Sequence, residues 1–251
     1  MNNLGIIYYT DNRIGAPIIP ICQKQLLKAK LPISSCSLKP IDFGDNIVLE
    51  NRKRSYPTMV LQIIMALEAC KSKYVFFCEH DVLYPESHFD FTPPKDNIFY
   101  YNNNVWRWHI KTGFAITYDR MLPLSVLCVN REFVLNHYKL RQEKIKEWKL
   151  DELRYKEPRW ARKWGYEPGT KKKRRGGFTD DDFDIWTSKD PVVDIRHKRT
   201  FSSPKITLES FIHKPTNWIQ IPFEEVPYWN LGDLFPKYRN EQKINKDHQV
   251  V

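Results

Sequence analysis

The sequence predicts a mixed α/β fold: a mostly parallel sheet with an antiparallel extension in its second half. Three observations predict it. Extended apolar runs alternate with helical periodicity over the first 80 residues. Short apolar runs then crowd together from 97 to 129, and the run Tyr74–Cys78 ends abruptly in acidic side chains. Strand–helix–strand alternation favours parallel pairing.

Leu4–Thr10 is a short apolar run closed by Asp11-Asn12-Arg13, the pattern of a buried strand entering a loop. Residues 20–30 can form a helix ended by Pro32, and Ile33–Leu38 reads as a second strand. The next element begins at Tyr56-Pro57, where proline suits a first helical turn. Val60, Ile63, Ile64 and Leu67 recur at i, i+3, i+4 and i+7, one apolar helical face, with Lys71 and Lys73 expected to close it. Tyr74–Cys78 then reads as a fully buried strand. Asn97–Asn103, Val105–His109, Gly113–Tyr118 and Ser125–Val129 suit antiparallel strands added to the same sheet. Arg131–Leu150 favours helix, with Phe133, Val134, His137, Leu140 and Ile145 facing the core. Thr179 before Asp180-Asp181-Asp182 has the chemistry of a helix start, which predicts a short helix through Ile185 and Trp186. Pro191–Ile195 is one more strand, and the chain beyond Thr200 is punctuated by proline. We expect one domain over 1–200, divided at 95/96, and a C-terminal extension over 201–251.

Bulk composition is that of a globular chain: 251 residues, 41% apolar and 14% aromatic. No run approaches the roughly 18 apolar residues of a membrane span. The first residues lack the basic and apolar regions of a signal peptide, so a soluble cytoplasmic protein is expected. Cys22, Cys36, Cys70, Cys78 and Cys128 are scattered without a C-x-x-C pair and read as reduced thiols that mostly fill the core. The net charge of +10 is concentrated: residues 139–175 carry fifteen Lys/Arg against six Asp/Glu, a net of +9. Such a stretch attracts polyanions or is a solvated helix and loop.

Phe76-Phe77-Cys78-Glu79-His80-Asp81 carries the chemistry. Open α/β sheets bind ligands at the carboxyl ends of their strands. In an extended chain Glu79 and Asp81 point the same way, and His80 the other. Two neighbouring carboxylates offer hard oxygen ligands to Mg²⁺ or Mn²⁺, ions that usually share coordination with substrate phosphates.

On these residues the chain resembles a GT-A type glycosyltransferase, similar to family 2 enzymes, over roughly 4–200. The likeness rests on the strand Leu4–Thr10, the helix Pro57–Lys71, Glu79-His80-Asp81 at the place of the family's Asp-x-Asp, and Leu127–Glu132. Asp180–Asp182 fall where the family often has an acidic pair, and Asp194-Ile-Arg-His197 where a late His often completes the metal shell. The resemblance implies a Rossmann-like fold with a nucleotide-sugar half (1–95) and an acceptor half (96–200). It implies that Glu79, Asp81 and His197 hold Mn²⁺ or Mg²⁺ against a nucleoside diphosphate-sugar, a UDP-sugar first among them. Thr10, Asn12, Arg13, Arg54, Ser55, Tyr56 and His80 would lie near the nucleotide. Asp180, Asp181, Asp182 and Glu167 are the candidate bases, and inversion at the sugar is implied too. The first acid is Glu where the family has Asp, and the basic insertion lies outside the family pattern.

Two acceptors are open: a glycan or lipid-linked sugar, and DNA bearing a hydroxymethylated pyrimidine. The basic segment with Trp148, Trp160 and Trp164 interleaved favours DNA, through phosphate contacts and base stacking. The chain also resembles glycosyltransferase-like proteins of phage and environmental sequences, which implies the host cytoplasm. Trp106, Trp108 and Trp186 are ring platforms or packing residues. Acid clusters beside basic surface also fit a metal-dependent nuclease or a non-catalytic nucleic-acid-binding protein.

Overall fold

The computed structural model describes residues 3–147, 149, 182–200 and 207–238. The elements run β1 (Leu4–Thr10), α1 (Ile18–Leu26), β2 (Ile33–Ser37), β3 (Asp45–Val48), α2 (Tyr56–Ala69), β4 (Tyr74–Glu79) and β5 (Val82–Leu83). They continue β6 (Phe99–Asn102), β7 (Val105–His109), β8 (Phe114–Thr117), β9 (Leu127–Asn130), α3 (Arg131–Glu147), β10 (Phe183–Trp186), β11 (Val192–Arg196), β12 (Ile219–Pro222) and α4 (Leu231–Leu234).

Helix α2 forms for the reasons its sequence suggests. Ser55 Oγ accepts the Thr58 N–H at 3.1 Å, Pro57 stands in the first turn, and Val60, Ile63, Ile64 and Leu67 are buried. The helix stops at Ala69, so Lys71 and Lys73 do not close it; Lys73 pairs with Asp96 at 3.0 Å instead. Strand β1 lies close against the turn that follows α2. A Cβ on Gly5 would meet Ser72 Oγ at 2.5 Å, so only glycine admits this approach. The helix expected at 20–30 begins at Ile18 and tightens into a 3₁₀ turn at Leu27–Ala29.

The strands make two sheets. The seven-stranded sheet has the order β10-β6-β9-β4-β1-β2-β3; β9 runs antiparallel to both neighbours and every other pair is parallel. The fold is therefore mixed α/β with a mostly parallel central sheet, as expected. Strands β7 and β8 do not extend that sheet. They join a five-stranded sheet of order β12-β8-β7-β11-β5. The chain changes sheets between β4 and β5, within Glu79–Val82.

Three further points differ from expectation. Strand β3 was not anticipated: it is a partly exposed edge beginning Asp-Asn, without an apolar run. Phe183–Trp186 is a strand rather than a helix, because its backbone pairs in parallel with β6; long-range pairing overrides the local helix-start chemistry. In α3, Leu140 is 56% exposed, while Tyr138 and Arg141 are buried beside Val134, His137 and Ile145. Residues 207–238 also contribute to a core. Trp108 stacks on Phe223 at 4.7 Å between rings, and Phe223, Trp229, Leu231 and Phe235 are buried with Trp106 and Val193. Trp106 and Trp108 are thus core residues rather than ring platforms. Among the described residues no helix is long and apolar enough to cross a membrane.

Candidate active site

Strand order reverses at β1: β2 and β3 lie on one side, β4 on the other. Loops leaving such a switch point diverge and open a crevice at the carboxyl ends of the strands. Tyr9 pairs with Glu79 there, so Thr10–Arg13 and Glu79–Asp81 leave the sheet side by side.

Glu79 is the last residue of β4, and its Oε1 accepts the Tyr9 hydroxyl at 2.6 Å. Burial and then the neighbouring Asp81 charge push its carboxyl up to about 7, against the Tyr9 hydrogen bond. Asp81 is 6% exposed. Burial pushes its pKa up as well, but His80, the bond from His197 and the Arg196 charge outweigh burial and hold it below the ordinary carboxylate range. One carboxyl therefore keeps a proton near neutrality while its neighbour stays ionised. Such a division indicates crowded negative charge.

The second sheet fixes Asp81 twice. Its carbonyl accepts the Ile195 N–H at 2.9 Å, and its Oδ2 lies 3.1 Å from His197 Nε2. Behind this pair Asp194, 3% exposed, accepts Arg107 Nε at 3.1 Å and Arg196 Nη1 at 3.2 Å. Arg107 also donates to the Tyr118 hydroxyl at 3.1 Å. Sequence reasoning did not single out Tyr9, Arg107, Asp194 or Arg196 as part of a site. The signal for Asp194 was present: a carboxylate between Val193 and Ile195 in a buried strand must be paired.

The nucleotide-side residues are placed unevenly. Thr10 is buried at the end of β1 and its Oγ1 accepts the Asn12 N–H at 3.1 Å. Asn12, at φ 56°, uses its Oδ1 to accept the N–H groups of Leu38 and Lys39, which ties the β1 and β2 loops together. Arg54 pairs with Asp11 and donates to Arg199 O at 3.1 Å, and Arg199 donates to Arg13 O. Arg54, Arg199 and the Arg13 backbone thus meet at the crevice from three segments. Ser55 is used as the α2 cap and Tyr56 is packed in the main core. His80 Nδ1 stands 3.5 Å from Tyr9 O, beside the acidic pair.

The expected metal set is only partly assembled. Asp81 and His197 meet, while Glu79 is engaged by Tyr9; among the described residues no group of three or more His, Cys, Asp or Glu is arranged around one point. The pair nonetheless fits a divalent cation. Two ligand atoms in adjacent octahedral positions at about 2.1 Å from a metal stand about 3.0 Å apart, close to the 3.1 Å observed. Two protein ligands with the rest supplied by substrate phosphates is the usual composition of such sites.

Asp182 is not brought to this crevice. Phe183 pairs with Phe99, while Tyr100 shares Cys128 as a partner with Phe76, three residues before Glu79. Asp182 therefore lies toward the amino ends of the parallel strands, opposite the acidic pair. Asp180, Asp181 and Glu167 lie outside the described residues, as does the basic segment 139–175 apart from 139–147 and 149. In that part Lys139 pairs with Glu68 at 2.9 Å, and Arg141 is buried against the Tyr138 ring and unable to meet phosphate.

No family model and no curated protein matches the chain. Solved structures do. One is a glycosyltransferase involved in glycosylation of the major capsid of PBCV-1, with TM-score 0.36, 11% identity, and coverage of 57% of this chain and 67% of that one. Another is a Drosophila β-1,4-galactosyltransferase 7 mutant in complex with manganese, UDP-Gal and xylobiose. It has TM-score 0.34 and 12% identity, and covers 60% of this chain and 63% of its own.

Proposed function

We propose that the chain is a metal-dependent glycosyltransferase that moves a sugar from a nucleoside diphosphate-sugar to an acceptor hydroxyl. The observation that carries the reading is the pair Asp81–His197, seated with Glu79 at the switch point where β1 and β4 end. Asp81 and His197 would hold the cation, which stabilises negative charge developing on the leaving diphosphate. Tyr9 and Asp194 keep the surrounding charges in place: Tyr9 orients Glu79, and Asp194 holds Arg107 and also Arg196, whose charge acts on Asp81. Arg13 and Arg54, on loops at the same crevice, supply positive charge on the side a diphosphate would occupy. Asp180, Asp181 and Glu167 remain the candidate bases for the acceptor hydroxyl. A UDP-sugar donor, inversion at the sugar and a hydroxymethylated pyrimidine of DNA as acceptor are part of this reading. The DNA acceptor rests on the +9 charge of residues 139–175.

Thermal stabilisation by UDP, with and without Mn²⁺, tests the reading. The wild type is expected to gain stability from UDP only when Mn²⁺ is present, and Asp81→Ala to lose that gain and its transfer rate while staying folded. A folded Asp81→Ala protein with wild-type transfer would remove the metal assignment. Stabilisation by no nucleoside diphosphate would turn the reading toward a nuclease or a binding module. A gel shift with duplex DNA across a salt series separates the acceptors, because phosphate contacts weaken steeply with salt.

A further inference from the structure

His197 has two ring nitrogens, and the structure commits both. Nε2 lies 3.1 Å from Asp81 Oδ2, and Nδ1 accepts the backbone N–H of Arg199 at 3.1 Å. A nitrogen that accepts an N–H must present its lone pair. The ring proton is therefore on Nε2, where Asp81 accepts it. The turn is closed further by Thr200, whose N–H and hydroxyl donate to His197 O at 3.1 and 2.9 Å. Arg199 also reaches out of the turn: its side chain donates to Arg13 O and its carbonyl accepts Arg54 Nη2 at 3.1 Å.

These bonds conflict with cation binding at the same nitrogen. Ligation through Nε2 needs the lone pair that the proton now occupies. The proton must then sit on Nδ1; the imidazole stays neutral and no proton is lost. Nδ1–H would face the Arg199 N–H, donor against donor at hydrogen-bond distance. The two arrangements exclude one another.

We propose that Arg199 is a positioning residue whose backbone N–H holds His197 in the tautomer that cannot ligate a cation. Ligation by Nε2 opens the His197–Thr200 turn. Opening detaches the Arg199 side chain from Arg13 O and the Arg199 carbonyl from Arg54 Nη2, so that this Arg54 N–H group, on a guanidinium still paired with Asp11, can turn to the phosphates of a nucleoside diphosphate. This rests on the reading of Asp81 and His197 as cation ligands, and the tests keep the two apart.

Nitrogen chemical shifts of His197 in the full chain, free of metal, read the tautomer directly. The Nε2–H form is expected, and the Nδ1–H form overturns the proposal. Hydrogen exchange is then measured with Mn²⁺ alone. Exchange over residues 78–83 is expected to slow while exchange at 198–200 accelerates about ten-fold. Slowing in both segments overturns the proposal and leaves the cation reading standing; no change in either overturns both. Two variants isolate the N–H. Arg199→Pro removes it, whereas Arg199→Ala removes the same guanidinium and keeps it. Arg199→Pro is expected to bind Mn²⁺ about five-fold tighter than Arg199→Ala, the worth of one hydrogen bond that binding must otherwise break. Equal affinities in the two folded variants overturn the proposal. If Arg199→Pro does not fold, the tautomer and exchange measurements decide.

Discussion

Glu79→Gln replaces a carboxyl that binds its proton more tightly in the folded chain than in the unfolded one. The folded value is about 7, against 4.5 for the free group, and the causes are burial and the adjacent Asp81 charge. Between those values the folded protein holds a proton that the unfolded chain has released. Stability from this group is thus fully present below pH 4.5 and is lost as pH rises through 7. At 1.36 kcal/mol for each pH unit of separation the loss is about 3 kcal/mol. Asp81 is ionised across the whole window, since its carboxyl lies below the ordinary range, and adds no slope there. Urea unfolding at pH 4.5 and pH 8, with a chelator present, measures the effect. The wild type is expected to lose about 3 kcal/mol more than Glu79→Gln between the two conditions, and Mn²⁺ at pH 8 should recover part of it. Parallel profiles for the two proteins would refute the reasoning, as would a wild type that gains on Glu79→Gln as pH rises.

Asp194→Ala leaves the Arg107 and Arg196 guanidinium groups without their shared carboxylate, and a loss of about 3–5 kcal/mol is expected in urea unfolding; Asp194→Asn should lose less. Ser55→Ala removes the cap of α2 and should cost about 1 kcal/mol, read as a fall in melting temperature. Truncation after residue 206 removes the ring that stacks on Trp108 together with the buried Trp229 and Phe235. That protein is expected to lose cooperative unfolding by calorimetry rather than melt as an intact core.

The parts of the fold legible in the sequence are those set by local pattern. Strands β1 and β4 are nearly continuous apolar runs, and α2 carries its cap, its proline and its apolar face within sixteen residues, Ser55–Cys70. Partition into two sheets was not legible, because β7 and β8 have the same alternation whichever neighbour they pair with. Strand β10 was misread because its pairing with β6 is made 84 residues away in the chain, at Phe183 and Phe99. The acidic pair stood out in the sequence, since its position after a buried strand is local. Tyr9, 70 residues from Glu79, was hidden, whereas His197, 116 residues from Asp81, was reached only through the family resemblance. The separation of Asp182 from the acidic pair was hidden for the same reason, because sequence position does not tell which end of a sheet a loop occupies.

The crossing from β4 to β5 has a mechanical meaning. Glu79 ends a strand of one sheet, and Val82 begins a strand of the other, with the Asp81 carbonyl already bonded to Ile195. The two carboxylates are thus bolted to different plates that meet at a two-residue joint, His80-Asp81. Neither plate can slide or rotate without changing the gap between them. The gap is held by the hydrogen bonding of both sheets rather than by a loop. Chemistry that depends on this spacing should fade at the same denaturant concentration that melts the whole molecule, with no softer step before it.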